Sequence, residues 1–275
     1  MALNVGLIGC GAIGTSLANL IDEGKAGNVK LLAIYDKDLE KAYHLATKLH
    51  SKPKVVETFD DLLSLSQRSL IVEAASQEAV KQYASKILQS NKNLMIMSVG
   101  ALVDKELYET IKHEAEKYGR KIYIPSGAIA GLDGVKAAFI GGVKKVVLTT
   151  RKPPKALRGA PYIEDKKIDL DAIKDSTLIY KGTASEACRF FPANINVAAT
   201  LSLAGIGVEK TEVEIIADPK IDRNIHEVRV MGSFGELIVQ TRNLPSPMNP
   251  KTSYLAVLSA IATLKKISEN LSIGT

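Results

Sequence analysis

Leu3-Asn4-Val5-Gly6-Leu7-Ile8-Gly9-Cys10-Gly11-Ala12-Ile13-Gly14 is the stretch that decides the fold. A short apolar run ends in a G-x-G-x-x-G pattern, and Ile13, Leu17, Leu20 and Ile21 then recur at helical spacing. Strand, tight turn and helix in that order form a dinucleotide-binding unit in which each glycine has its own task. Gly9 permits the turn, Gly11 lets backbone approach a pyrophosphate, and Gly14 lets the helix pack closely on the strand. The helix start at Ala12 and Ile13 offers unpaired amides and a partial positive charge to phosphate. A second apolar strand, Val29–Tyr35, closes on Asp36, about 22 residues after Gly14, where a carboxylate meets ribose hydroxyls. Gly9, Gly11, Ala12, Ile13, Gly14 and Asp36 are therefore the expected cofactor contacts. The acid favours NAD, while the neighbouring Lys37 leaves NADP open.

Downstream, the first half of the chain keeps alternating between strand and helix periods. Further strands are expected over 54–57, 70–75, 93–98 and 121–125, with helices over 39–49, 77–89 and 104–118. Thr58-Phe59-Asp60-Asp61 reads as a helix cap with acids in the first turn. Such alternation implies parallel β–α–β units in a doubly wound sheet, with ligands outside the carboxyl ends of the strands.

The pattern changes after residue 134. Strands are expected over 143–150, 176–181, 212–217, 226–231 and 236–241, the last two joined by the hairpin signal Gly232-Ser233-Phe234-Gly235. A helix over 184–204 is interrupted near Pro192, and a loop with Pro153, Pro154 and Pro161 lies between. The expected product is a smaller α+β domain with an open mixed or antiparallel sheet and helices on one face. A proline-rich linker over 243–250 leads to a last helix over 253–270. Its Leu255, Leu258, Ile261 and Leu264 need a partner to bury them. The resulting division is 1–126 for the dinucleotide, 127–245 for substrate and catalysis, and 246–275 as a helix returning to the first domain.

Composition narrows the function classes. A chain of 275 residues suits one large or two modest domains, and its 46% hydrophobic content is ample for a core. The net charge of +6 is spread among acids along helices. Its densest run, Arg151-Lys152-Pro153-Pro154-Lys155 with Arg158, lacks interleaved aromatics and reads as a solvated loop rather than a nucleic-acid surface. The longest mostly apolar run, 254–264, is too short to cross a bilayer. Two cysteines far apart in sequence, Cys10 and Cys188, fit a reducing cytoplasm and give no disulfide framework. The first strand starts too near Met1 to leave room for a signal peptide.

A nicotinamide fold needs placement, a proton-transfer group and substrate anchors. Of four histidines, His44, His50 and His113 sit on charged helices or their ends and read as surface residues. His226 stands at a strand entrance among Asp222, Arg223, Asn224 and Glu227, and reads either as an acid–base group or as a solvated strand-end residue. Asn224 shares its strand face and is a candidate substrate contact; Asn224, Asp222 or Glu227 could fix the ring's tautomer. Asn194 and Asn196 interrupt an apolar helix, as partners for a nicotinamide carboxamide or as caps after Pro192. Arg151, Arg189, Arg223 and Arg229 are all possible carboxylate anchors, and spacing does not choose among them.

The chain resembles the L-aspartate dehydrogenases over nearly its full length. The resemblance rests on residues 6–14, on Ile124-Pro125-Ser126-Gly127-Ala128-Ile129-Ala130-Gly131-Leu132-Asp133, on Phe191-Pro192-Ala193-Asn194-Ile195-Asn196-Val197-Ala198-Ala199, and on Ala217-Asp218-Pro219 through Asn224-Ile225-His226-Glu227. The first motif is shared by many dehydrogenases; the other three together are specific. The resemblance implies that His226 is catalytic and that Ala130 and Asn196 contact the nicotinamide cofactor. It further implies NAD- or NADP-dependent oxidation of L-aspartate to iminoaspartate. That product either hydrolyses to oxaloacetate and ammonia or feeds NAD biosynthesis. Apolar strand and helix faces in the second half exceed what one small domain covers, which marks a subunit contact with a closed homodimer as the commonest outcome; the resemblance also implies a homo-oligomer. Sugar and polyol dehydrogenases of similar architecture carry Glu-Lys-Pro where this chain has Met97-Ser98-Val99-Gly100. A non-catalytic NAD-binding redox sensor, or a related dehydrogenase acting on another small substrate, is the alternative; a sensor would not need Asn196, Asn224 and His226.

Overall fold

Residues 1–125 together with 257–275 form one compact unit, and 126–256 form another. The computed structural model describes residues 2–65, 69–192, 195–247 and 249–274, and the side chains of all these except 195 and 249–251.

The first unit runs β1 (Leu3–Ile8), α1 (Ala12–Asp22), β2 (Val29–Tyr35), α2 (Leu39–Lys48), β3 (Lys54–Val55), α3 (Phe59–Leu63), β4 (Leu70–Glu73), α4 (Gln77–Gln89), β5 (Asn93–Ile96), α5 (Lys105–Lys117) and β6 (Ile122–Tyr123). Its six strands are ordered β3-β2-β1-β4-β5-β6, and every pair is parallel. The order reverses beside β1, so the crevice of this doubly wound sheet opens at the β1 and β4 carboxyl ends. β4 is buried along its whole length, as a strand covered on both faces must be. Asp38, Ser76 and Asp104 cap α2, α4 and α5 through their side chains, and Thr58 with Asp61 forms a reciprocal capping box on α3.

The second unit contains α6 (Leu132–Ile140), β7 (Val143–Lys152), α7 (Pro161–Asp165), β8 (Thr177–Thr183), α8 (Ala184–Phe190), α9 (Ile195–Ala204), β9 (Glu212–Ala217), β10 (Asn224–Gly232) and β11 (Gly235–Asn243). The sheet order is β11-β10-β7-β9-β8. Only β7 and β9 run parallel; the other neighbours are antiparallel, so the sheet is mixed. Val146 and Leu148 of β7, Val213 and Ile215 of β9, and Val228 and Val230 of β10 alternate onto one buried face. Ala187, Phe191, Ala198 and Leu201 from around α8 and α9 complete that core.

Three sequence expectations need correction. The 243–250 segment is no plain linker: β12 (Pro245–Ser246) and β13 (Asn249–Ser253) pair as a small antiparallel ladder. The last helix, α10 (Tyr254–Ser268), buries Val257, Ala260, Ile261 and Leu264, while Leu258 is exposed. α10 is apolar around much of its circumference, so spacing admits two stripes, and packing selects the one containing small Ala260. Finally, β7 runs two residues beyond the expected strand and takes in Arg151 and Lys152, which are therefore not loop.

The α10 stripe joins the core of the first unit with Leu17, Ala18, Ile21 and Leu31. Leu264 is fully buried. Leu264→Ala is expected to destabilise the protein by about 2–5 kcal/mol, and Leu258→Ala by about 1 kcal/mol or less. Urea unfolding monitored by circular dichroism measures both.

Candidate active site

The turn after β1 separates glycines that the fold needs from one that it does not. Gly9 has φ +100°, and an added Cβ would meet the Ala74 carbonyl oxygen at 2.7 Å. A Cβ on Gly14 would collide with the Gly9 carbonyl oxygen. A Cβ on Gly11 would touch nothing within 4 Å. Packing thus explains Gly9 and Gly14, while Gly11 leaves an open cradle of the kind a close-lying pyrophosphate fills. Gly11 is also the N-cap of α1 and offers no side chain to its free amides, which suits an anion. The residues present therefore fit a dinucleotide.

Asp36 closes the same turn. Its Oδ2 accepts the Cys10 amide at 2.6 Å and its Oδ1 accepts the Asp38 amide at 2.9 Å. The carboxylate shapes the glycine loop, which spacing alone did not reveal. Burial, then the Asp36 charge, pushes the Cys10 thiol up to about 12, and burial does the same to Cys188. Neither is a thiolate nucleophile near neutral pH.

Glu73, at the end of β4, is a further residue that sequence reading passed over. Its carboxylate accepts the amides of Ala75 at 2.8 Å, Ser76 at 2.9 Å and Ser98 at 3.0 Å, and the Ser98 hydroxyl at 2.8 Å. Burial lifts this carboxyl above its ordinary range, and the hydrogen bonds pull it back. All four partners donate, so the site is built for the ionised form. The carboxylate ties the loop after β4 to the loop after β5, both on the ligand-binding edge of the sheet.

In the second unit the buried sheet face turns from apolar to polar at one end. Thr150 lies directly opposite His226 across β7 and β10, and the Thr150 hydroxyl and His226 Nδ1 share a hydrogen bond of 3.0 Å. His226 is buried, which removes the solvated strand-end reading. Burial first, and the Lys152 charge second, lower its pKa to about 3, so the ring is neutral across the physiological range. Lys152 extends the Val146–Leu148–Thr150 alternation and is buried; burial lowers its pKa to about 8. Asn224 is buried on the His226 face, opposite Asn243 of β11. The ring's Nδ1 partner is Thr150 rather than one of the acids expected from sequence. Asp222 binds Arg223, and Glu227 meets Gln240 and Arg229. Thr150 and Lys152 were missed because they lie 76 and 74 positions from His226; the signal was the two-residue alternation running on past Leu148.

The remaining candidates lie elsewhere in the second unit. Ala130 is exposed just before Gly131, the left-handed N-cap of α6. Asn196 is exposed in the first turn of α9, so burial cost does not explain it; Asn194 lies outside the described residues. Arg229 projects from the opposite face of β10 toward Glu227 and Glu236. Arg151 alternates away from Lys152 and meets Asp218 at 3.8 Å and Ser176 at 3.2 Å. Arg189 is exposed on α8. His44, His50 and His113 are exposed. Among the described residues, no group of three or more His, Cys, Asp or Glu could hold a metal, and no helix is long and apolar enough to cross a membrane.

Residues 133–267 match the family described as aspartate dehydrogenase, C-terminal, and residues 9–125 match the homoserine dehydrogenase NAD-binding domain. The chain is 49% identical to L-aspartate dehydrogenase of Methanosarcina mazei, over 99% of this chain and 100% of that one. It is 51% identical to the Methanocella arvoryzae L-aspartate dehydrogenase, over 98% and 99%. This chain belongs to the L-aspartate dehydrogenase family. The crystal structure of Thermotoga maritima aspartate dehydrogenase superposes with a TM-score of 0.76 at 31% identity, covering 100% of both chains.

The depressed His226 pKa has a consequence for stability. The unfolded histidine takes a proton near pH 6.5, whereas the folded one resists until about pH 3. Stability from this group is therefore present above pH 6.5 and is lost as pH falls below it. Between pH 7 and pH 5 the loss is about 2 kcal/mol. Lys152 stays protonated throughout this window and adds nothing to the change. His226→Asn is expected to remove this part of the acid sensitivity, which urea unfolding at the two pH values measures.

Proposed function

We propose that this protein is an NAD(P)-dependent L-aspartate dehydrogenase that oxidises L-aspartate to iminoaspartate, from which oxaloacetate and ammonia form by hydrolysis. The observation that carries the reading is the buried, neutral His226 held by Thr150 at the polar end of the second sheet. Full-length relatives that bear this enzyme name support the substrate. When bound, the nicotinamide cofactor supplies the acceptor for the hydride that leaves the substrate Cα.

The chain's own residues divide the remaining work. Gly11, Ala12 and Ile13 receive the pyrophosphate at the α1 N-terminus, and Asp36 accepts the adenosine ribose hydroxyls. Ala130 and Asn196 meet the nicotinamide end. His226 takes the proton that the substrate amine must lose before its lone pair can assist hydride departure. With Nδ1–H donating to Thr150 Oγ1, the Nε2 lone pair is the accepting atom. Burial keeps the ring unprotonated in the free protein, and it excludes water from the imine until the hydrolytic step. Asn224, on the same face, is placed to orient the substrate. Exposed Phe139, Ile140, Phe234 and Ile238 support pairing of two copies as a homodimer. Two buried free thiols fit the cytoplasm.

His226→Ala is expected to lower kcat by about 10² to 10⁴ while NADH still binds, because the glycine loop is untouched. Steady-state rates beside NADH fluorescence titration test this, and near-normal kcat would refute the role. Asp36→Ala should move preference from NAD toward NADP and weaken both, since the carboxylate also holds the Cys10 and Asp38 amides. Kd values for the two reduced cofactors measure the shift; an unchanged preference would remove Asp36 from ribose recognition.

A further inference from the structure

Glu73 closes β4 and is almost fully buried. Its backbone and its side chain act in succession. The Glu73 carbonyl accepts the Met97 amide at 3.0 Å, the last rung between β4 and β5. Beyond that rung the carboxylate takes over. Oε2 accepts the Ser98 amide, while Oε1 accepts the Ser98 hydroxyl and the amides of Ala75 and Ser76. The loop after β4 in turn abuts the glycine turn, since the backbone of Ala74 and Ala75 is what a Cβ on Gly9 would strike. One carboxylate therefore holds two adjacent strand-end loops together where the ladder itself has ended.

Resting on the cofactor reading above, we infer that Glu73 is a positioning residue for the nicotinamide half of the dinucleotide. A doubly wound sheet divides its ligand between two halves across the switch point. The β1–β3 half holds the glycine turn and Asp36, assigned to the pyrophosphate and the adenosine ribose. The β4–β6 half is left for the nicotinamide nucleotide, and the loops after β4 and β5 form its edge. Those loops are built of small residues, Ala74-Ala75-Ser76 and Ser98-Val99-Gly100, so a ligand meets backbone there and the placement of that backbone decides the fit. Glu73 fixes it through the loops, without touching the ligand. Its charge is essential to the task. A carboxylate presents only acceptors to four donors, whereas an amide of the same shape sets its NH2 group against one of them. The two oxygens are unequal, with three donors on Oε1 and one on Oε2. A glutamine at this position keeps its carbonyl at the crowded place and turns its NH2 group on the Ser98 amide. The loop after β4 then stays tied and the loop after β5 is released.

The test titrates NADH, by nicotinamide fluorescence, and ADP, by calorimetry, into wild type, Glu73→Gln, Ser98→Ala and Asp22→Asn. ADP carries the adenosine and the pyrophosphate and lacks the nicotinamide riboside. In Glu73→Gln the Kd for NADH is expected to rise about tenfold while that for ADP stays within about twofold. Ser98→Ala removes the hydroxyl donor and keeps the Ser98 amide, so it should show the same split at about threefold. Asp22, at the carboxyl end of α1, accepts the His50 and Ser51 amides at 2.7 and 2.8 Å, one helix length from the glycine turn. Asp22→Asn is thus a matched loss of an amide-bound carboxylate, and it should lower Tm and leave both Kd values unchanged. A folded Glu73→Gln protein with wild-type affinity for NADH would overturn the inference. So would equal weakening of NADH and ADP, or the same split in Asp22→Asn, because the carboxylate would then serve only the stability of the unit. If Glu73→Gln does not fold, Ser98→Ala decides, and its failure to separate NADH from ADP overturns the inference. A wild-type protein that binds neither NADH nor ADP would instead overturn the cofactor reading itself.

Discussion

The pairing of β7 with β10 is the constraint on which the site proposed for the second unit depends. Its register sets Thr150 opposite His226, Leu148 opposite Val228 and Val146 opposite Val230. Because side chains alternate strictly, a slip of one residue would turn the entire set to the other face. The apolar pairs hold that register by burial. The polar pair at the end of the same face is then held where the core has already excluded water. The apolar core and the buried polar pair thus share one ladder: the apolar end fixes the register that the polar end needs.

Burial at that end does the electrostatic work. An imidazole in water is half protonated near pH 6.5. The one on β10 stays neutral because charging it would cost its hydration and oppose the nearby ammonium. The ammonium in turn sits below its usual range for want of water. Neither group would be tuned in this way on a strand end open to solvent. Two strands brought side by side achieve this from residues more than seventy positions apart.

The first unit uses a different device. Its glycine turn is shaped by contacts too close for any Cβ at Gly9 or Gly14, and it is tied down by Asp36 through the Cys10 amide. Glu73 does the same for the neighbouring loops with four donated hydrogen bonds. Two carboxylates thereby set the backbone along the edge of the sheet where a dinucleotide is received. A negative charge fixed by amides orients loops without needing bulk, which suits an edge that must stay open to a ligand.

The sequence by itself determined the elements whose signals are local. The G-x-G-x-x-G turn between an apolar strand and a helical pattern, the acid closing β2, and the strand–helix alternation through β6 are all read within windows of ten to forty residues. The hairpin of β10 and β11 is local too. The catalytic candidate His226 and the family were legible from contiguous motifs. What only the tertiary structure decided is what depends on neighbours distant in the chain. Thr150 as the partner of His226 and Lys152 as a buried cation follow from the β7–β10 register, which no short window contains. Lys152 looked like part of a solvated basic run because proline follows it and charge surrounds it. Its burial comes from strand alternation carried two residues further than propensity suggested. The stripe chosen by α10 was open for a similar reason: the helix is apolar on most sides, so only the shape of the core it meets could select Val257, Ala260, Ile261 and Leu264. Local chemistry specifies elements and motifs, whereas burial and charge environment are properties of the packed whole.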